Sequence, residues 1–139
     1  MSKEVIIKKL EQLGILLKDL EPLLRMPKDE FENDTVVIRA AERNFQLIVE
    51  IASDINTAIL IEETGKTPDT YKQSFVELEK IGAVPSEVIS DLAASAKLRN
   101  ILVHEYEFEE DYGRFYDSAK SMLPAYHRYA ESIKKHIRG

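Results

Sequence analysis

Residues 99–106 read Arg99-Asn100-Ile101-Leu102-Val103-His104-Glu105-Tyr106, and put a guanidinium, an amide, an imidazole and a phenol within eight residues. Arg99 and Asn100 interrupt an otherwise apolar stretch and precede three consecutive apolar residues, which places them near the edge of a core. Asn100 and His104 are four apart and share a helix face. Arg99 and His104 are five apart, ~140° around an ideal helix. Within one chain they converge on a small site only if the helix loosens at His104. The charged and aromatic residues that follow favour such an ending.

These residue types suit the cleavage of an RNA phosphodiester. A base must take the 2′-OH proton, an acid must protonate the leaving oxygen, and a cation must stabilise the phosphorane. Histidine can do the first two jobs near neutral pH. Arginine offers a permanent charge with a planar fork that fits phosphate oxygens. A helix C-terminus favours the protonated imidazole, and the acids after His104 would do the same, so a raised His104 pKa is expected. One histidine in the segment is thin for acid–base work, whereas a two-fold dimer would bring two Arg99/His104 pairs to one groove. The spacing also arises by chance. The same residues would serve as an ion-paired arginine and a half-buried histidine.

The elements that must carry this segment are helical. Val5, Ile6, Leu10, Leu13, Leu16, Leu17, Leu20 and Leu24 recur at three- and four-residue steps, which predicts a helix over about Ser2–Arg25, with Pro22 as a kink or early end. Lys28–Asp29 restarts the chain. One long helix is predicted from there to about Glu63, with Asn33–Asp34 as its weak point and Gly65 as its C-cap. Thr70 or Asp69 caps a short helix over Tyr71–Ile81 that Gly82 ends. A fourth helix follows over about Glu87–His104 and a fifth over about Asp111–Ile137. No stretch alternates with period two. The expected fold is all-α: a single domain over residues 1–139, built as an antiparallel bundle of four to five helices.

Composition removes several classes of function. The chain has 139 residues and no cysteine, which excludes disulfides, thiol catalysis and thiolate zinc sites. No uninterrupted apolar run reaches the ~18–20 residues of a membrane span, and the N-terminus lacks a signal-peptide core, so no membrane association and a cytoplasmic location are expected. The net charge of −6 argues against a general nucleic-acid coat. The charge is uneven, however. Residues 105–111 hold five acids and no base, while residues 114–139 carry a local balance of +4. No basic recognition helix points to DNA.

Residues 99–106 resemble the Arg-X4-His-X-Tyr motif of HEPN-domain proteins, in their HepT-like branch. The segment Val37-Ile38-Arg39-Ala40-Ala41-Glu42-Arg43-Asn44-Phe45-Gln46 also resembles that family's second helix. The resemblance implies a homodimeric, metal-independent ribonuclease that acts as the toxin of a toxin–antitoxin pair, with a minimal nucleotidyltransferase as antitoxin. It implies that Arg99 and His104 are the catalytic pair and that Asn100 orients the site or binds phosphate. It also implies that Tyr106 is the residue the nucleotidyltransferase modifies with AMP. A negative adduct there would block the groove and repel RNA. The alternative is a non-catalytic subunit that binds a nucleotide or the nucleotidyltransferase.

Other candidates are weaker. Arg39 and Arg43 share a face of the second helix and could line an RNA groove opposite Arg99, or form a solvated face paired with Glu42 or Glu50. Asp54 could pair with an arginine of the site or face solvent. Tyr112, Phe115, Tyr116, Tyr126 and Tyr129 fit bundle packing better than base stacking. His127 and His136 are nine apart, outside metal-ligand spacing on one helix face, and neither a metal nor another cofactor is expected.

Overall fold

The computed structural model describes residues 3–104 and 111–139, with His104 described through its backbone alone. These residues form six α-helices: α1 (Lys3–Arg25), α2 (Lys28–Glu32), α3 (Thr35–Thr64), α4 (Tyr71–Lys80), α5 (Ser86–His104) and α6 (Tyr112–Arg138). The chain is all-α, with one more helix than the sequence pattern predicts.

The extra helix comes from the break at Asn33–Asp34. Asp34 is extended, and its side chain accepts a hydrogen bond from the Val37 amide at 3.1 Å, so it caps α3 and separates it from α2. The turn lets α2 drive Phe31 into the core, where its ring lies 5.1 Å from Tyr116 and 6.4 Å from Phe115. At the other end of α3, Gly65 has φ 72°, the left-handed cap that glycine adopts without strain. Thr70 caps α4 through the Gln73 amide, and Asp111 caps α6 through the Arg114 amide. α1 runs through Pro22 to Arg25 and does not stop at it.

α3 is the central element. It packs on α1, α4 and α5, while α6 covers α1 and α5, and α2 bridges α3 and α6. Ile38, Ala41, Phe45, Ile48, Ala52, Ile55 and Ile59 form its buried stripe. Burying each large apolar side chain stabilises the fold by ~1.5–3 kcal/mol. By length and overall hydropathy α3 is long and apolar enough to cross a membrane, although charged and polar residues interrupt its apolar run. Its apolar stripe is spent on the bundle core. Phe115, Tyr116, Tyr126 and Tyr129 of α6 are buried packing residues, as their spacing predicts.

Tyr126 and Tyr129 bring polar atoms into that core and satisfy them. The Tyr129 hydroxyl lies 2.5 Å from Asn56 Oδ1 and 3.1 Å from the Ala52 carbonyl oxygen. The Asn56 amide donates to Ser74 Oγ at 3.0 Å, and Ser74 donates to the Tyr71 carbonyl at 2.7 Å. A continuous polar chain thus ties α6 to α3 and to the first turn of α4.

Candidate active site

Arg99 sits on the last turns of α5, where the apolar stripe of that helix gives way to polar residues. Its side chain is only 15% exposed. Three groups hold it. Nη2 lies 3.4 Å from Glu50 Oε2 on α3, the guanidinium carbon stands 4.6 Å from the centre of the Tyr71 ring on α4, and Nη1 lies 3.3 Å from Asn100 Oδ1. Arg99 Nε is buried with no hydrogen-bond partner. The cation is therefore oriented; Nε is sealed from solvent, and the donor capacity left for an anion lies on Nη1 and Nη2, each of which makes one of its two bonds.

Glu50 and Tyr71 were invisible as site residues in the sequence. Glu50 was expected at most as a partner of Arg39 or Arg43, yet it pairs with Arg99. The signal that could have found it is its register. Arg39, Arg43, Glu50, Asp54 and Thr57 fall within a strip ~60° wide on α3, by the 100° step of an α-helix. Arg43 and Glu50 are ~10 Å apart along the axis.

The structure places Arg39 and Arg43 on this strip, toward the N-terminal end of α3. Arg39 is engaged: it bonds Glu42 at 3.0 Å and lies 5.9 Å over the Tyr112 ring. Its pKa is raised, first by its hydrogen bond to Tyr112 and then by the one to Glu42. Arg43 is exposed and touches the side-chain oxygen of Gln46 at 3.3 Å. Asp54 faces solvent and pairs with Lys9 at 3.6 Å. His127 and His136 lie on α6 and pair with Glu21 and Glu63 respectively, both far in sequence from residues 99–106.

α5 stays helical through His104. The loosening that would bring His104 round to Arg99 within one chain is absent up to that residue, and the two backbone positions remain ~140° apart on the helix. The side chain of His104 and the whole of Tyr106 lie outside the described residues, so the expected raised imidazole pKa and the modification site lie there too.

Beside Arg99 the surface opens into a polar groove of about 480 Å³, lined in part by Ser53, Asp54 and Thr57 of α3, Asp69 and Tyr71 at the start of α4, and Asn100 of α5. Tyr71 and Asn100 belong both to this groove and to the setting of Arg99.

An all-helical bundle with an anchored arginine at the edge of a groove is a ribonuclease-compatible arrangement, and comparison with known proteins agrees. A family model described as ribonuclease HepT-like matches residues 6–133. A tRNA nuclease HepT from Aphanizomenon flos-aquae (strain 2012/KM1/D3) is 30% identical over 134 residues, spanning 96% of this chain and 90% of that protein. The chain belongs to the HepT-like ribonuclease family, and its enzyme class is ribonuclease. Two solved structures share the fold. The tri-AMPylated Shewanella oneidensis HEPN toxin in complex with its MNT antitoxin aligns with TM-score 0.84 and 21% identity, over 97% of this chain and 99% of that one. The cytosolic protein of unknown function YutE from Bacillus subtilis aligns with TM-score 0.82 and 18% identity, over 99% and 91%.

Proposed function

We propose that this chain is the toxin of a HEPN/MNT-type pair, cutting RNA without a metal at a composite site that two protomers build from Arg99 and His104. The observation that carries this reading is the setting of Arg99. It is a nearly buried cation, held by Glu50 and Tyr71, beside a groove that Tyr71 and Asn100 line.

Arg99 grips the scissile phosphate and stabilises the charge that builds on its oxygens. One imidazole takes the proton from the 2′-oxygen, which attacks the neighbouring phosphorus. The 5′-oxygen leaves with a proton from a second imidazole, giving a cyclic phosphate and a 5′-hydroxyl. Two imidazoles require two chains. The ~140° between Arg99 and His104 on α5 favours the same conclusion, since a cleft shared by two copies can pair each arginine with the partner's histidine. Asn100 orients the phosphate beside Arg99. Arg43, and Arg39 once RNA displaces its contacts, extend the cationic track along α3. The substrate class read from the related tRNA nuclease is tRNA.

The partner in this reading is a minimal nucleotidyltransferase that silences the site by placing AMP on Tyr106, as the AMPylated state of the S. oneidensis toxin suggests. Both proteins act in the cytoplasm, the compartment named for the B. subtilis neighbour. The test is cleavage of total RNA in EDTA by the wild type, Arg99→Ala and His104→Ala. We expect cleavage that survives chelation and falls at least about a hundredfold in each variant, the scale of lost electrostatic or acid–base catalysis. Cleavage that persists in both variants overturns the assignment of the site.

A further inference from the structure

Apart from Asn100, the lining of the groove beside Arg99 has no task in the cleavage steps above. Phosphate capture falls to Arg99 and proton transfer to His104. At about 480 Å³ it is within the range of ligand pockets, and it is joined to Arg99 through Tyr71 and Asn100. No lysine or arginine lines it, while Asp54 and Asp69 put two carboxylates there. Those charges repel phosphate, so the part of RNA that fits is a base.

We infer that this groove is a nucleobase subsite selecting guanine next to the scissile phosphate, an inference that rests on the ribonuclease reading of Arg99. The selecting group is Asp69. Asp54 is engaged by Lys9 at 3.6 Å, whereas the Asp69 carboxylate holds no hydrogen bond or ion pair among the described residues. A carboxylate offers two acceptor oxygens side by side. Guanine alone among the four bases answers with two adjacent donors, N1–H and the N2 amino group. On adenine and cytosine the amino group is flanked by a ring nitrogen acceptor, which repels the second oxygen. On uracil the single N3–H lies between two carbonyls. Asn100 supplies an amide donor for O6. Unstacked bases of single-stranded RNA are commonly read in this way, through their Watson–Crick edges. With Arg99 lying over the Tyr71 ring that lines the groove, a base seated there delivers its own phosphate to the guanidinium.

The experiment is an NMR titration of the full-length ¹⁵N-labelled protein with each of the four nucleoside 3′-monophosphates. It is run on the wild type, Asp69→Asn and Arg99→Ala, with RNA cleavage measured in parallel. We expect guanosine 3′-monophosphate to move the amides of residues 53–57, 69–71 and 100 and to bind about tenfold more tightly than the others, the worth of a bidentate base contact. Asp69→Asn should erase that preference while leaving phosphate affinity. Arg99→Ala should weaken all four alike. Equal binding of the four, shifts confined to residues outside the groove, or a guanine preference that survives Asp69→Asn each overturns the subsite. Groove shifts with guanine preference in a protein whose RNA cleavage does not depend on Arg99 uphold the subsite and sink the catalytic assignment instead. Arg99-dependent cleavage without groove shifts does the reverse.

Discussion

Arg99 and Glu50 are 49 positions apart in sequence, yet Arg99 Nη2 and Glu50 Oε2 stand 3.4 Å apart across the α5–α3 contact. Both side chains keep some access to water, so the pair adds at most ~1 kcal/mol to stability. Its weight lies in direction: it fixes which edge of the guanidinium is turned to α3 and, on the proposed function, which edge is left for the phosphate.

Glu50→Gln should therefore act on rate and not on folding. The variant keeps the shape and one acceptor oxygen but loses the charge that orients Arg99. Single-turnover cleavage at saturating RNA should fall about tenfold, because small misplacements of a catalytic group are costly. The thermal midpoint should stay within a few degrees of the wild type. An unchanged rate would remove Glu50 from the positioning machinery.

Tyr71 presents its ring to Arg99, and the hydroxyl plays no part in that contact. Tyr71→Phe should keep cleavage near the wild-type rate, whereas Tyr71→Leu should reduce it and cost ~0.5–2 kcal/mol of stability, the range of a partly desolvated cation–ring contact. Equal losses in both variants, read from denaturant curves and cleavage rates together, would point to the hydroxyl.

Asn56→Ala tests the polar chain behind the site. It deletes the acceptor of the Tyr129 hydroxyl and the donor to Ser74, both in a fully buried setting. A loss of about 2–4 kcal/mol in urea unfolding is expected from the two lost bonds and the small void. A variant as stable as the wild type would mean that water replaces the amide. Ser74→Ala, which keeps the Tyr129 bonds, should cost less.

Alkaline pH should unfold the protein by a defined route. Burial pushes the hydroxyls of Tyr126 and Tyr129 well above the usual phenol range. The bond to Ser95 pulls Tyr126 partly back down. A pKa raised in the folded state means stability that is whole below the unfolded value of ~10 and is lost as pH rises above it. Ultraviolet titration of the six tyrosines should show two that ionise only as the far-ultraviolet helix signal collapses. Six phenols titrating together near pH 10 with the helices intact would contradict this. Tyr126→Phe should carry the fold to higher pH.

The sequence was most informative where the determinants are local. Asp34, Gly65, Thr70 and Asp111 fix helix ends through their own backbone and the next turn, and each sits where its residue type predicts. The helix that carries Arg99 and Asn100 was legible from its own apolar pattern, and α5 runs through His104 as expected. The division of α2 from α3 was visible only as a weak point, since it takes the rings of Phe115 and Tyr116, more than 80 residues away, to decide that Phe31 turns inward. Glu50 and Tyr71 were illegible for the same reason. A glutamate on a helix face and a tyrosine at a helix start are common, and only the docking of α4 and α5 on α3 gives them a task. Arg39 illustrates the converse. Its charge left two readings open, a groove residue or a partner of Glu42, and the fold shows the pairing with Glu42 and adds the Tyr112 ring, which the sequence did not suggest.

The polar chain through the core also sets an order of events at the ribosome. Tyr129, in the last helix, is hydrogen-bonded to Asn56, which holds Ser74, which fixes the Tyr71 carbonyl and so the turn that carries the ring under Arg99. A nascent chain that has made its whole motif but not yet α6 lacks the end of that chain. On the proposed function, a properly set arginine is thus withheld until nearly every residue has been translated, and fragments truncated before Tyr129 should cut no RNA in the cell that makes them.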